Sequence, residues 1–235
     1  MARLARVVVP GLPHHVTQRG NGRARVFFSD ADHALYLRLL TAACRAAKVR
    51  CLAYVLMPNH VHLILVPKDA DGLRKAMSAV HRAYAGALNA RRKKTGHFWQ
   101  GRFGCVAMDG EHLAAAFRYV LLNPVRAKLS KTAQHWPWSS AGAYLKSRDD
   151  GLTDTADMLA QFPNVAALLE SDEHGEMLEL ELRRAETIGR PLGSASFLTR
   201  LERKLARPLK PAKRGPKARR GKLNGVSPYF RTTSP

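Results

Sequence analysis

His60-Val61-His62 sets two imidazoles two positions apart. In an extended chain such residues share a face, so His60 and His62 stand side by side while Val61, Leu63 and Leu65 turn to the other face. Neutral imidazole is the commonest protein metal ligand, and a strand of this pattern offers half a metal site. The same pair also describes two satisfied histidines at a strand edge. A third ligand and a reactive group decide between the two.

Both types of residue occur further along. Tyr119 and Asn123 are four apart in a segment of helical periodicity, which places them one above the other on one helix face. Two imidazole nitrogens and an amide oxygen, with no thiolate, suit Mg²⁺ or Mn²⁺ bound together with a phosphate oxygen, and zinc accepts the same ligand types. Such a metal is a Lewis acid on a phosphodiester, and a phenol beside it is a nucleophile that would leave a covalent phosphotyrosine. The plainer description of Tyr119 is a half-buried helix tyrosine.

The 235 residues include 39 Lys and Arg against 18 Asp and Glu, a formal charge of +21. Solubility requires far less, so a polyanionic partner is indicated. The sequence has no apolar run of membrane-spanning length and no signal-peptide core, which favours nucleic acid over a lipid surface and a cytoplasmic location. Cys44, Cys51 and Cys105 are odd in number and lack CxxC spacing, against both a disulfide framework and a cysteine zinc site.

The elements that must position these groups follow in order. Residues 14–19 extend and Gly20-Asn21-Gly22 ends them. A helix is expected over 31–48, with Leu35, Leu39, Leu40, Ala43 and Ala47 at its inner spacing. Residues 51–56 and 60–66 form a hairpin about Pro58-Asn59, and a second helix over 71–92 turns Leu73, Ala76, Met77, Val80, Tyr84 and Leu88 inward. A strand over 104–108 precedes a third helix that starts near 111 and that Pro124 is expected to end. This order gives an α+β, ferredoxin-like (split βαβ) antiparallel sheet, with two helices on one face and the other face free for nucleic acid.

Trp136-Pro137-Trp138-Ser139-Ser140 reads as a turn anchoring the third helix. Helical pieces over 157–169, 172–188 and 194–205 make a small C-terminal appendage, and beyond Leu205 the Lys, Arg, Pro and Gly content forms no core. Three regions result: a catalytic domain over 1–140, a helical appendage over 141–205 and a basic, flexible tail over 206–235. Candidate DNA contacts are Gln18, Arg19, Asn21 and Arg23 after the first strand, Trp99 and Arg102 before the fourth, and Arg126 beyond Tyr119. Lys213, Arg214, Lys217, Arg219 and Arg220 in the tail complete the set, and phosphate neutralisation by such residues implies steep salt dependence.

His60-Val61-His62 with Tyr119 and Asn123 resembles the HUH single-tyrosine endonucleases of the IS200/IS605 transposase class. More closely, the chain is similar to the REP-associated tyrosine transposases. The likeness runs through Pro10-Gly11-Leu12-Pro13-His14-His15-Val16-Thr17-Gln18-Arg19-Gly20-Asn21, Met57-Pro58-Asn59-His60-Val61-His62 and Phe98-Trp99-Gln100-Gly101-Arg102-Phe103. It continues in Tyr119-Val120-Leu121-Leu122-Asn123-Pro124-Val125-Arg126-Ala127, Trp138-Ser139-Ser140 and Gly189-Arg190-Pro191-Leu192-Gly193.

The resemblance implies a bacterial, nucleoid-associated nuclease and strand transferase. It would cut single-stranded DNA beside short palindromic hairpins, with Tyr119 as nucleophile and His60, His62 and Asn123 as Mg²⁺ or Mn²⁺ ligands. The intermediate would be a 5′-phosphotyrosine with a free 3′-hydroxyl. A non-catalytic hairpin-binding protein of the same fold and a zinc hydrolase are the alternatives. The smaller insertion-sequence enzymes are dimers, whereas the appendage here is expected to shield that surface and leave a monomer. The sequence departs from the family at Lys128, where glycine is common, and in the tail.

Overall fold

The computed structural model describes residues 6–171 and 175–209; the tail bearing Lys213, Arg214, Lys217, Arg219 and Arg220 lies outside the described residues. The first elements are β1 (His14–Arg19), α1 (Asp30–Ala46), β2 (Val49–Met57), β3 (His60–Pro67), α2 (Gly72–Arg92), β4 (Gly104–Ala107) and α3 (Gly110–Arg126). All strand pairs are antiparallel in the order β2-β3-β1-β4, the expected ferredoxin-like arrangement. The histidine strand β3 is therefore interior. His62 lies opposite Thr17 of β1 and Val55 of β2, and His60 opposite Arg19 and Met57.

Strand alternation divides the side chains cleanly. Val16, Val61, Leu63 and Leu65 pack with α1 and α2, and the inner stripe of α2 is the expected one from Leu73 to Leu88. In α1 the buried ridge is His33, Tyr36, Leu40 and Cys44; of the expected positions Leu40 and Ala47 are buried, while Leu35, Leu39 and Ala43 are turned to the margin and only partly buried. Partners inside explain the rotation: Tyr36 Oη lies 3.2 Å from His81 Nε2, so two polar groups satisfy one another in the core. Ser29 and Asp32 cap this helix reciprocally.

The other face is not free. Val55, Met57, Ile64, Val66 and Val106 lie beneath Phe117, Val120 and Leu121 of α3, and the later helices extend this second core. These are α4 (Ala141–Leu145), α5 (Ala156–Gln161), α6 (Val165–Glu170), α7 (Gly175–Ile188) and α8 (Ala195–Leu205). Tyr144, Met158, Val165, Leu182 and Ala185 are buried in it. The helical piece expected over 157–169 is broken around Pro163, after which Asn164 caps α6 by accepting from the Ala167 amide at 2.9 Å. An apolar underside left in water would have been the cost of an open face, and α3 with α7 removes it.

Both sheet edges are covered. Ser139 bridges to Val55, the Leu56 amide donates to Trp138 O at 2.8 Å, and Trp136 Nε1 donates to Leu56 O at 3.1 Å, so the tryptophan turn anchors along β2. At the opposite edge Leu192 bridges to Met108. A Cβ on Gly193 would stand 2.2 Å from the Phe197 ring and 2.9 Å from Asp109 Oδ2, which explains the glycine after this contact. Among the described residues no helix is long and apolar enough to cross a membrane.

Pro124 does not end α3, which runs on to Arg126. It sits in the last turn, where the lost amide bond is one of few remaining, and the Leu129 amide closes the end on Pro124 O at 2.9 Å. Lys128 takes φ 56 there, a left-handed cap position that favours glycine. Lys128→Gly should raise unfolding stability by about 0.5–1 kcal/mol, measured by urea denaturation. Unchanged or lower stability would contradict the cap reading.

Candidate active site

His60 and His62 open on a cleft of about 270 Å³ between β1, β4 and the end of α7. Arg6, Gln18, Arg19, Gln100 and Arg102 line the same cleft, so basic and amide groups surround the imidazoles. Arg6 is held there by its Nε donating to Phe103 O at 3.1 Å and by its guanidinium over the Phe103 ring at 3.8 Å. Gln18 Nε2 donates to Gly101 O at 3.2 Å.

Each histidine has a second partner. His60 Nδ1 lies 2.6 Å from Asn59 Oδ1, and Asn59 Nδ2 donates to Arg23 O at 3.0 Å, tying the hairpin tip to the loop after β1. His62 Nδ1 lies 3.0 Å from Nε2 of His15 on β1. Burial holds His62 well below the usual imidazole range, with neighbouring His15, His60, Arg19 and Arg183 adding to the effect. Burial also lowers His15 to about 3, and burial with the charge of Arg19 lowers His60 to about 4. All three rings are neutral at physiological pH, the form in which imidazole ligates a metal.

The Tyr119 ring meets His62 edge-on, with centroids 5.2 Å apart at 90°, and meets His15 at 6.1 Å. Tyr119 is 7% exposed and is not among the residues lining the cleft. The guanidinium carbons of Arg183 and Arg126 lie 5.4 and 5.8 Å from its ring centre. From α7, buried Glu179 pairs with Arg126 and with Arg118, the latter at 3.5 Å, fixing α7 over the tyrosine helix. Asn123 is buried one turn beyond Tyr119 and does not line the cleft.

The fold thus gathers His60, His62, Gln18, Arg19 and Arg102 around one cleft, with Tyr119 against its inner histidine. Asn21 and Arg23 are exposed beside it. Two of the expected DNA contacts have partners inside the fold. Trp99 turns inward, its Nε1 donating to His81 O at 3.0 Å and its ring packing against Tyr84 and Phe98, because the aromatic core under α2 is where its area is buried. Arg126 is engaged by Glu179, a partner supplied from 53 residues away. His15, Asn59, Arg6, Gln100 and Arg183 were not singled out by sequence; His15 shares the face of Thr17 by alternation, but its neighbour across the sheet depends on register.

A four-stranded antiparallel sheet with a histidine pair on an inner strand and a tyrosine-bearing helix beneath is the layout implied by the resemblance to the single-tyrosine transposases. Residues 8–123 match the family model described as transposase IS200 like, and this segment belongs to the IS200-like transposase family. Among solved structures it is similar to the REP-associated tyrosine transposase bound to a REP hairpin, at 20% identity and TM-score 0.54, covering 66% of this chain and 90% of that one. A transposase-like protein of Deinococcus radiodurans is 19% identical, with TM-score 0.37 and coverage of 51% of this chain and 95% of that one. No curated protein matches the chain in sequence.

The neutral histidines give a pH prediction. Native His14 and His60 titrate near 4 and His15 near 3, against 6.5 for an ordinary imidazole, so between these values the unfolded chain binds more protons. Stability should be full above pH 6.5 and fall as pH drops toward 4, by at most about 1.4 kcal/mol per pH unit for each ring. Denaturant unfolding at pH 7, 6 and 5 measures it, and a flat profile would contradict the neutral assignment.

Proposed function

We propose that the protein is a metal-dependent single-stranded DNA endonuclease and strand transferase acting beside short palindromic hairpins. The observation that carries this reading is the edge-on contact of Tyr119 with His62, whose ring opens on an arginine-lined cleft. The family of residues 8–123 and the hairpin bound by the REP-associated relative support the choice of DNA.

The donor set fits a divalent cation. Asn59 and His15 engage the Nδ1 atoms of His60 and His62, so Nε2 is the atom we assign to ligation in each ring, and both rings are neutral. His60 and His62 would hold Mg²⁺ or Mn²⁺, with Asn123 assigned as the amide ligand from its place beside Tyr119 on α3. When bound, the cation supplies Lewis-acid activation of the phosphodiester.

Arg6, Arg19 and Arg102 bind the DNA backbone and neutralise its charge in the cleft. Tyr119 Oη attacks phosphorus; the new O–P bond forms as the P–O3′ bond breaks, the phenol proton is released and the departing 3′-oxygen takes one up. Arg183, whose guanidinium carbon stands 5.4 Å from the ring centre, favours negative charge on the attacking oxygen. The phosphotyrosine keeps the bond energy, so the free 3′-hydroxyl rejoins a strand without a nucleotide cofactor. With α7 fixed over α3, we assign a monomer using its own tyrosine; a stable dimer in light scattering would remove that assignment.

A hairpin-bearing oligonucleotide with Mg²⁺ or Mn²⁺ should give an SDS-resistant protein–DNA adduct, and Tyr119→Phe should abolish it. Adduct or cleavage at wild-type rate in Tyr119→Phe sinks the nucleophile assignment and points to a water-using hydrolase. Binding indifferent to EDTA, with no nicking under any divalent metal, replaces the reading with a non-catalytic hairpin-binding protein. Arg19→Ala and Arg102→Ala should each lower the slope of log K against log salt by about 1. Unchanged slopes would exclude these residues from phosphate contact.

A further inference from the structure

His15 is buried and lies on β1, beside the histidine strand. Its Nε2 is 3.0 Å from His62 Nδ1, the ring planes differ by 3° and the centroids are 5.1 Å apart. Rings stacked face to face cannot bring nitrogens that close, so the two imidazoles lie nearly edge to edge, where an N–H of one points along the lone pair of the other. His62 faces the cleft and His15 is not among its lining residues. A neutral imidazole carries one proton and one lone pair, and only the deprotonated nitrogen ligates. The direction of this hydrogen bond therefore determines which His62 nitrogen is available. Asn59 Oδ1 can only accept, so it fixes the His60 tautomer alone; a histidine partner can act either way, and its own proton must sit on Nδ1 for it to accept.

We propose that His15 is a positioning residue that accepts the Nδ1 proton of His62, holding His62 in the tautomer whose Nε2 ligates the cation and fixing its ring plane. This rests on the metal-dependent reading above. Outer partners of this kind orient ligating histidines and raise their basicity, and their loss costs 10- to 100-fold in metal affinity. His15 is not a ligand in this scheme.

The test uses the full chain without DNA. Nitrogen-15 NMR of the histidine rings should show the His62 proton on Nδ1 in the wild type; a proton on Nε2 overturns the proposal without any variant. Mn²⁺ affinity, followed by electron paramagnetic resonance, should fall roughly 10- to 100-fold in His15→Leu. His15→Gln, whose amide oxygen can still accept, should stay within a few-fold of wild type. Wild-type affinity in a folded His15→Leu overturns the proposal, as does a His15→Gln protein as weak as the leucine variant, since ring packing rather than acceptance would then be at work. If His62→Ala binds Mn²⁺ like the wild type, the metal assignment under the proposed function fails, and the tautomer measurement still decides the role of His15.

Discussion

Burying an imidazole disfavours its charged form, and this protein buries His15 and His62 together and half-buries His60 beside them. His15, His60 and His62 lose water on the α3 face of β1 and β3, and their protonated states lose most from that loss. One nitrogen of each neutral ring is then engaged nearby, that of His62 by His15 and that of His60 by Asn59. A cleft rich in arginine would repel a cation if the histidines were also charged. Desolvation keeps them uncharged, which is what the proposed function requires if metal and phosphate are to share this cleft of about 270 Å³.

The sheet and the helices above it serve this constraint. Placing β3 inside, with β1 and β2 on either side, leaves no edge at which the histidine strand could slip, and a one-residue slip would turn both rings into the opposite core. The second core under α3 excludes water from His62 and sets Tyr119 against it. Helix α7 completes the enclosure through Leu182, Ala185 and the ion pairs of Glu179 with Arg118 and Arg126, which hold the tyrosine helix.

Basic residues divide by position rather than by type. Arg6, Arg19 and Arg102 face the cleft, whereas Arg118 and Arg126 are consumed by Glu179. Arg91 pairs with the fully buried Asp32 that caps α1. Counting charge along the chain indicates a polyanionic partner, but only position in the fold shows which cations line the cleft.

Period and spacing alone determined the strand and helix order, the pairing of His60 with His62 on one face, and the shared helix face of Tyr119 and Asn123, because alternation of two and near-repeats of four are local properties of the backbone. The inner stripe of α2 was legible for the same reason. The rotation of α1, the occupation of the second sheet face, the inward turn of Trp99 and the capture of Arg126 were not, since each depends on a partner distant in sequence. His15 illustrates the boundary: its side of the strand follows from alternation, and its place beside His62 follows only from the antiparallel register that sets β1 against β3. What the histidine pair is for was suggested by residue types. Which nitrogen of His60 is engaged follows from its chain neighbour Asn59, whereas the contact of His62 Nδ1 with His15 was decided by tertiary structure.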